Sequence, residues 1–363
     1  MTFDLAARLD AARRRMAERG VDALLLSVGS DLPYLLGYRA VENERLTMAV
    51  VRADDEAILV VPELEAPRVD ALAGVFRVRP WRETESPVSI VAGLAAGAAT
   101  AAVSDETWAR FVLELQVELP ATRMIPAGPL MEQLRIVKEP AEIDRLRAAA
   151  SGVDRVAVRL EKHRFSGKTE RRLSQEVGAM TVEEGAEMSH FAIVASGPNG
   201  ASPHHEPGER LIGPGDVVVV DFGGPVGGYQ SDTTRSFVVG EPTAEQAEVH
   251  AVVAAAQEAG VRATRPGVAC GEVDAAARAV IEAAGWGERF IHRLGHGIGL
   301  DVHEEPYLVD GNERLLEPGM TFSIEPGIYL PGRFGVRIED IAVCTDDGCE
   351  RLNASNRDLV VVD

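Results

Sequence analysis

The stretch that most limits how this chain can fold is Asp216-Val-Val-Val-Val-Asp-Phe-Gly-Gly-Pro-Val-Gly-Gly-Tyr-Gln-Ser-Asp232. Four consecutive valines between Gly215 and Phe222 predict a buried β-strand, because β-branched side chains fit a packed, pleated surface. Pro225-Val-Gly-Gly228 is turn chemistry, and residues 229–239 read as the returning strand. A turn centred between Val226 and Gly227 sets Asp221 opposite Asp232. Opposed Cβ atoms lie roughly 4.5–5.5 Å apart. Two like charges at that range repel by about 4 kcal/mol near a protein surface. A cation offsets that repulsion most directly.

The pattern recurs downstream. Residues 320–325 and 335–343 read as strands, and the segment between them, Pro326-Gly-Ile-Tyr-Leu-Pro-Gly-Arg-Phe334, is rich in turn formers. Folding about Gly332 brings Glu325 level with Glu339. Histidines cluster near both hairpins. A loop, Ser196-Gly-Pro-Asn-Gly-Ala-Ser-Pro-His-His205, delivers His204 and His205, and residues 290–303 hold His292, His296 and His303 among Gly295, Gly297 and Gly299. Those glycines let the backbone approach a site closely and take positive φ. His163, His190 and His250 have no such company and read as structural. Carboxylates with one or two imidazoles suit Mn²⁺, Co²⁺, Fe²⁺ or Zn²⁺. Four carboxylates exceed what one ion needs, whereas two ions about 3.5–4 Å apart use them fully.

The rest of the chain supplies a scaffold. Residues 4–18 have helical spacing, residues 21–28 read as a buried strand, and residues 47–52 and 56–61 as a hairpin. Helices are expected over residues 63–73, 87–96 and 107–115, alternating with strands at 76–78 and 101–104. That alternation implies a mixed or parallel sheet covered by helices. The boundary falls within residues 131–138, giving domains 1–132 and 133–363. Pro140 opens a long amphipathic helix, a second begins near Thr169, and two more cover residues 243–262 and 271–284. With the strands described above, the second half is an antiparallel sheet backed by helices, an α+β arrangement.

A formal net charge of −20 excludes nucleic acid and anionic membrane as partners, since both need clustered Lys and Arg. No apolar run approaches a membrane span. Three cysteines with no C-x-x-C pair, and an N-terminus without a signal-peptide pattern, lead us to expect a cytoplasmic protein. There is no H-E-x-x-H and no G-x-S-x-G.

Asp221, Asp232, His296, Glu325 and Glu339, in this order and context, resemble the five ligands of the pita-bread-fold metallopeptidases, which include methionine aminopeptidase, aminopeptidase P and prolidase. The first half resembles, more loosely, the creatinase-type N-terminal domain of the Xaa-Pro members, through Asp22-Ala-Leu-Leu-Leu and Asp31-Leu-Pro-Tyr-Leu-Leu-Gly37. The resemblance therefore implies an α+β pita-bread domain behind a smaller α/β creatinase-like one. It implies two divalent ions, Mn²⁺ ahead of Co²⁺, Zn²⁺ or Fe²⁺, with Asp232 and Glu339 bridging them. By the same resemblance, Asp221, His296 and Glu325 complete the ligand set, and Glu325 takes the proton of the attacking water. His204 and His303 polarise the scissile carbonyl and stabilise the tetrahedral intermediate. His292 and Arg337 stand near the proline end of the substrate, and Tyr329 lines that pocket. Arg337 has two readings, a fork on a substrate carboxylate or a salt bridge to an acid such as Glu339.

The expected activity is Xaa-Pro hydrolysis on small peptides by a homodimer. The compact length favours the dipeptidase over an aminopeptidase P acting on longer peptides. A metal-free creatinase-like enzyme and a non-catalytic binding module share the fold, but both usually lack ligands that are intact here.

Overall fold

The structure, a computed structural model, describes residues 3–363. The chain divides into two compact units, the first ending at Arg135 and the second spanning Ile136–Asp363.

In the first unit the elements are α1 (Leu5–Arg19), β1 (Ala23–Leu26), α2 (Asp31–Leu36), β2 (Met48–Arg52), β3 (Ala57–Pro62) and β4 (Phe76–Trp81). There follow α3 (Pro87–Leu94), β5 (Thr100–Val103), α4 (Ala109–Glu118), β6 (Arg123–Pro126) and α5 (Gly128–Arg135). The strands form one mixed sheet in the order β4-β3-β2-β1-β5-β6. Pairs β1–β5, β5–β6 and β3–β4 are parallel, while β1–β2 and β2–β3 are antiparallel. The helix expected over residues 63–73 does not form. Only a short 3₁₀ turn, Ala66–Arg68, is present, with Pro67 inside it. Leu64 and Leu72 are exposed, so no apolar face is buried there to stabilise a helix that a proline already interrupts.

The second unit carries α6 (Pro140–Leu160), α7 (Glu170–Glu183), β7 (Phe191–Ser196), β8 (Val217–Gly223), β9 (Thr233–Val239), α8 (Ala244–Ala263) and α9 (Cys270–Ala283). The later strands are β10 (Gly295–Gly297), β11 (Glu304–Leu308), β12 (Thr321–Ile324), β13 (Gly327–Leu330), β14 (Phe334–Arg337), β15 (Asp340–Thr345), β16 (Gly348–Arg351) and β17 (Val360–Val362). The helices start where the capping chemistry directs. Glu139 and Glu142 form a capping box around Pro140, Thr169 accepts from the Arg172 amide, and Thr243 with Gln246 caps α8. Strands pair in the orders β17-β9-β8-β7, β11-β10-β12-β15-β16 and β13-β14. All these pairs are antiparallel except β17–β9.

Burial of β8 on both faces decides where its aspartate points. Val218, Val220 and Phe222 pack with Val153, Val156 and Leu160 of α6 and with Leu173 and Val177 of α7. Val217 belongs to the opposite core, with Val249 and Val253 of α8, Val273 of α9, and Phe322 and Ile324 of β12. Each such valine contributes roughly 1.5–3 kcal/mol of burial, so this facing is firmly held. Side chains alternate along a strand, so Asp221 shares the Val217 face and looks into the space between the sheets.

Candidate metal centre

The turn between β8 and β9 differs from expectation. Gly227 and Gly228 both have positive φ and Val226 bridges Tyr229, so the hairpin is centred between the two glycines. Val217 pairs with Val238 and Asp221 with Thr234, not with Asp232. The slip amounts to two residues, which keeps Asp232 on the same face as Asp221, diagonally displaced. Asp232, Thr234 and Ser236 all lie on that face, and all three are buried.

In the second hairpin Ile324 pairs with Asp340 and Gly327 with Arg337, a single register that sets Glu325 level with Glu339. Thr234 joins the two hairpins. Glu339 donates its amide to the Thr234 carbonyl at 3.2 Å, and Thr234 Oγ1 donates to Glu339 Oε2 at 2.7 Å. The four acids therefore meet through one threonine that stands opposite Asp221.

His296 enters on β10, between β11 and β12. Neither Gly295 nor Gly297 has positive φ, so the backbone freedom expected there is not used. Close approach is the reason for both. A Cβ on Gly295 would lie 1.9 Å from the Ser323 carbonyl oxygen, and one on Gly297 2.3 Å from that of Glu305. Asp274 of α9 braces the preceding segment by accepting from the Leu294 amide at 2.9 Å, while Arg278 donates to the carbonyls of Phe290 and His292.

Pro203, His204, Asp221, Asp232, His292, Arg293, His296, His303, Glu325, Arg337 and Glu339 line one cavity of about 350 Å³. Tyr329 lies behind it and reaches the wall through hydrogen bonds to His292 and Arg337. His163 is engaged away from it with Glu176 and Lys168. His190 contacts Gln230, and His205 contacts Glu170.

Hydrogen-bond directions assign the imidazole tautomers. His292 Nδ1 faces the Arg293 carbonyl at 2.7 Å and must donate, so Nε2 accepts from the Tyr329 hydroxyl at 2.8 Å. Burial, helped by the Arg337 charge, lowers the His292 pKa to about 4. His296 Nδ1 likewise donates to the Gly297 carbonyl at 3.1 Å, which leaves the Nε2 lone pair facing Glu325 Oε1 at 3.3 Å and Asp232 Oδ2 at 3.6 Å. Burial and the neighbouring His303 lower its pKa to about 3, so Nε2 brings no proton to these contacts at neutral pH.

Ligand atoms of Asp232, His296 and Glu339 lie within 4.8 Å of one another, all buried. Asp221 Oδ2 accepts from Arg337 Nη2 at 2.6 Å, but its Oδ1 is buried with no hydrogen-bond partner. These groups converge on one cavity, and an orphaned carboxylate oxygen is among them. That donor set fits divalent cations.

The salt-bridge reading of Arg337 is the one this geometry adopts, with Asp221 as the acid rather than Glu339. Its Nε donates to Thr234 Oγ1, and Nη1 donates to the Pro203 carbonyl and the Tyr329 hydroxyl. One N–H is left over, so a two-pronged grip on a substrate carboxylate requires these partners to be exchanged.

Comparison with known proteins agrees with this geometry. Residues 144–346 match the sequence pattern of metallopeptidase family M24. The chain belongs to that family. Residues 8–137 of this M24 protein match the creatinase/prolidase N-terminal domain. The "Probable dipeptidase PepE" of Mycobacterium tuberculosis is 44% identical over 98% of this chain and 96% of its own. The Xaa-Pro dipeptidase of Lactobacillus helveticus is 34% identical over 98% of both. The crystal structure of a prolidase from Thermococcus sibiricus superposes with a TM-score of 0.96 at 36% identity, covering both chains fully. Two-domain creatinase-type architecture and a metallopeptidase fold are thus established for this chain, and membership implies divalent metal ions. Among the described residues no helix is long and apolar enough to cross a membrane.

Crowding of acids has a consequence for stability. Burial, reinforced by the charges of Glu339 and Asp221, raises the pKa of Asp232 well above the carboxylate range. Burial, together with Glu325 and Asp221, does the same to Glu339. Glu325 is pushed up to about 7 by burial, with Arg337 opposing and Asp221 adding to the rise. An acid with a raised folded pKa binds more protons folded than unfolded, so stability falls as pH climbs toward that value. His292 and His296 have lowered values and act in the opposite sense, but only below about pH 6.5, where the unfolded imidazole is charged. From pH 7 to pH 8 the melting temperature in chelator is therefore expected to fall, and Mn²⁺ to raise it by more at pH 8. Calorimetry with and without the ion checks both; a chelated protein that melts higher at pH 8 contradicts this account.

Proposed function

We propose that this metallopeptidase is an Xaa-Pro dipeptidase. The observation that carries the reading is the convergence of Asp221, Asp232, His296, Glu325 and Glu339 on one cavity, with Asp232, His296 and Glu339 buried within ligand reach of one another and an Asp221 oxygen left without a partner. The names of its full-length relatives, an Xaa-Pro dipeptidase and a probable dipeptidase, support the substrate class. The five side chains hold two ions, Mn²⁺ ahead of Co²⁺, Zn²⁺ or Fe²⁺. Bound ions supply an acidified water and a Lewis-acid contact to the scissile carbonyl.

The chain's own groups do the rest. Glu325 accepts the proton of the attacking water. His204 and His303 donate to the developing oxyanion, each worth roughly 2.7–4 kcal/mol by the cost of removing such a donor. The His292–Tyr329–Arg337 chain forms the wall for the proline end, with His292 neutral and its orientation set by Tyr329. An X–Pro bond has no N–H, so a wall shaped for the ring serves better than a donor-acceptor pocket. Residues 133–363 carry all of these groups, and residues 1–132 act as a scaffold. The assembly is a homodimer.

The test is a substrate panel on the purified, Mn²⁺-loaded protein. Ala-Pro is expected to exceed Ala-Pro-Ala by at least about tenfold in kcat/KM, the discrimination an ordinary pocket contact supports. Chelation is expected to abolish cleavage and Mn²⁺ to restore it. Equal cleavage of the tripeptide makes the enzyme an aminopeptidase P instead.

A further inference from the structure

His204 stands at the cavity yet is exposed, and no side-chain hydrogen bond holds it among the described residues. Its position is inherited from the backbone on either side. On one side the Pro203 carbonyl accepts from Arg337 Nη1 at 3.3 Å. On the other side is His205, whose Nε2 lies 2.8 Å from Oε2 of Glu170.

Glu170 opens α7, directly after its Thr169 cap, where a carboxylate is favoured by the helix dipole. It is wholly buried. Its Oε1 accepts from the Ser196 amide at 2.8 Å, the Ser196 hydroxyl at 2.7 Å and Asn199 Nδ2 at 3.0 Å. Its Oε2 accepts from Asn199 at 3.1 Å, His205 Nε2 and the Gly208 amide at 3.3 Å. Burial alone would raise its pKa, but the bonds from Ser196, His205 and Asn199 outweigh that and hold it below the carboxylate range. The carboxylate is therefore ionised and can only accept, so Nε2 of His205 is the protonated nitrogen. Capping one helix needs a single acceptor. Here one carboxylate gathers donors from both ends of the segment 196–208, and His204 lies between them.

We propose that Glu170 is a positioning residue for catalysis, with His205 as its arm, clamping this loop so that His204 stands over the reacting carbonyl. The proposal rests on the role given to His204 above. It concerns neither metal ligation nor substrate contact by Glu170 itself.

The experiment is a double-mutant cycle in the full-length, Mn²⁺-loaded enzyme on Ala-Pro, with Mn²⁺ affinity measured by calorimetry. His205→Ala is expected to lower kcat roughly 10–100-fold, the scale of a misplaced catalytic group. KM is expected to stay within about threefold, since the interaction lost is one made in the transition state. Mn²⁺ affinity is expected to stay unchanged. His205→Gln, whose amide can donate near the place of Nε2, is expected to recover most of the loss. In a His204→Ala background His205→Ala is expected to cost nothing further, because a residue acting through another has no effect once that one is gone. Glu170→Gln is expected to behave as His205→Ala; should it fail to fold, the His205 series carries the test alone. Independent, multiplying losses in the double variant, or a matching loss of Mn²⁺ affinity, overturn the clamp and leave the dipeptidase reading intact. A His204→Ala enzyme with wild-type kcat overturns the role of His204 itself, and the clamp with it.

Discussion

Glu339→Gln is expected to lower kcat for Ala-Pro by roughly a thousandfold or more, about 4 kcal/mol of transition-state stabilisation. The same change is expected to make the ion-free protein more stable. Glu339 sits buried beside Asp232, with the Glu325 and Asp221 charges also raising its pKa. An amide of the same shape keeps an acceptor for the Thr234 hydroxyl but removes an ionisable group from this crowd. In chelator at pH 8 the variant should therefore melt above the wild type. With Mn²⁺ the order should reverse, because the variant loses more ion affinity than the 10–100-fold typical of an outer partner. Site strain of this kind is how function is maintained against stability. Steady-state kinetics, titration calorimetry and melting curves on one pair of proteins read all three effects. A variant that binds two ions as tightly as the wild type and keeps kcat within tenfold removes Glu339 from the site.

The reach and the limits of the sequence show in these same residues. Gly332 follows Pro331 in a turn, and the register it predicts for Glu325 and Glu339 is the one the strands adopt. The first hairpin held an equally local signal. Two adjacent glycines are the pair that fills both positive-φ positions of a tight turn, so its centre belongs between Gly227 and Gly228. Centring it one residue earlier misplaces Asp232 by two positions while leaving its face correct. Periodicity does not single out Thr234, because residues 231–236 are polar at every position, on both faces of a strand that is buried throughout. What periodicity does not encode is which distant elements meet. Thr234 touches Glu339 across 105 positions of sequence, and Glu170 reaches His205 across 35. In residues 63–73 charge and alanine imitate a helix, but Pro67 and the exposed Leu64 and Leu72 leave it nothing to pack against.

Arg337→Met should destabilise the ion-free protein by about 3–5 kcal/mol, the cost of stripping one partner from a buried pair. The pair it breaks is short, 2.6 Å to Asp221, with side-chain exposures of 3% and 12%. Three further bonds go with it, to Thr234, Pro203 and Tyr329. For a domain of this size the loss corresponds to a fall of roughly 10 °C in melting temperature. Mn²⁺ should recover much of that fall, because Asp221 then has a second source of positive charge, and its Oδ1 is buried without a hydrogen-bond partner. Arg337→Lys should lie between the two, since a single ammonium can meet Asp221 but cannot also span Thr234, Tyr329 and the Pro203 carbonyl. The dependence on the ion separates two roles for this arginine. If Arg337 serves only to grip substrate, its loss leaves stability untouched and raises KM alone. If it serves as the counter-charge that holds Asp221 in place, the melting temperature drops in chelator, recovers with Mn²⁺, and kcat falls with it. Equal destabilisation with and without the ion would mean that Asp221 takes no part in holding it.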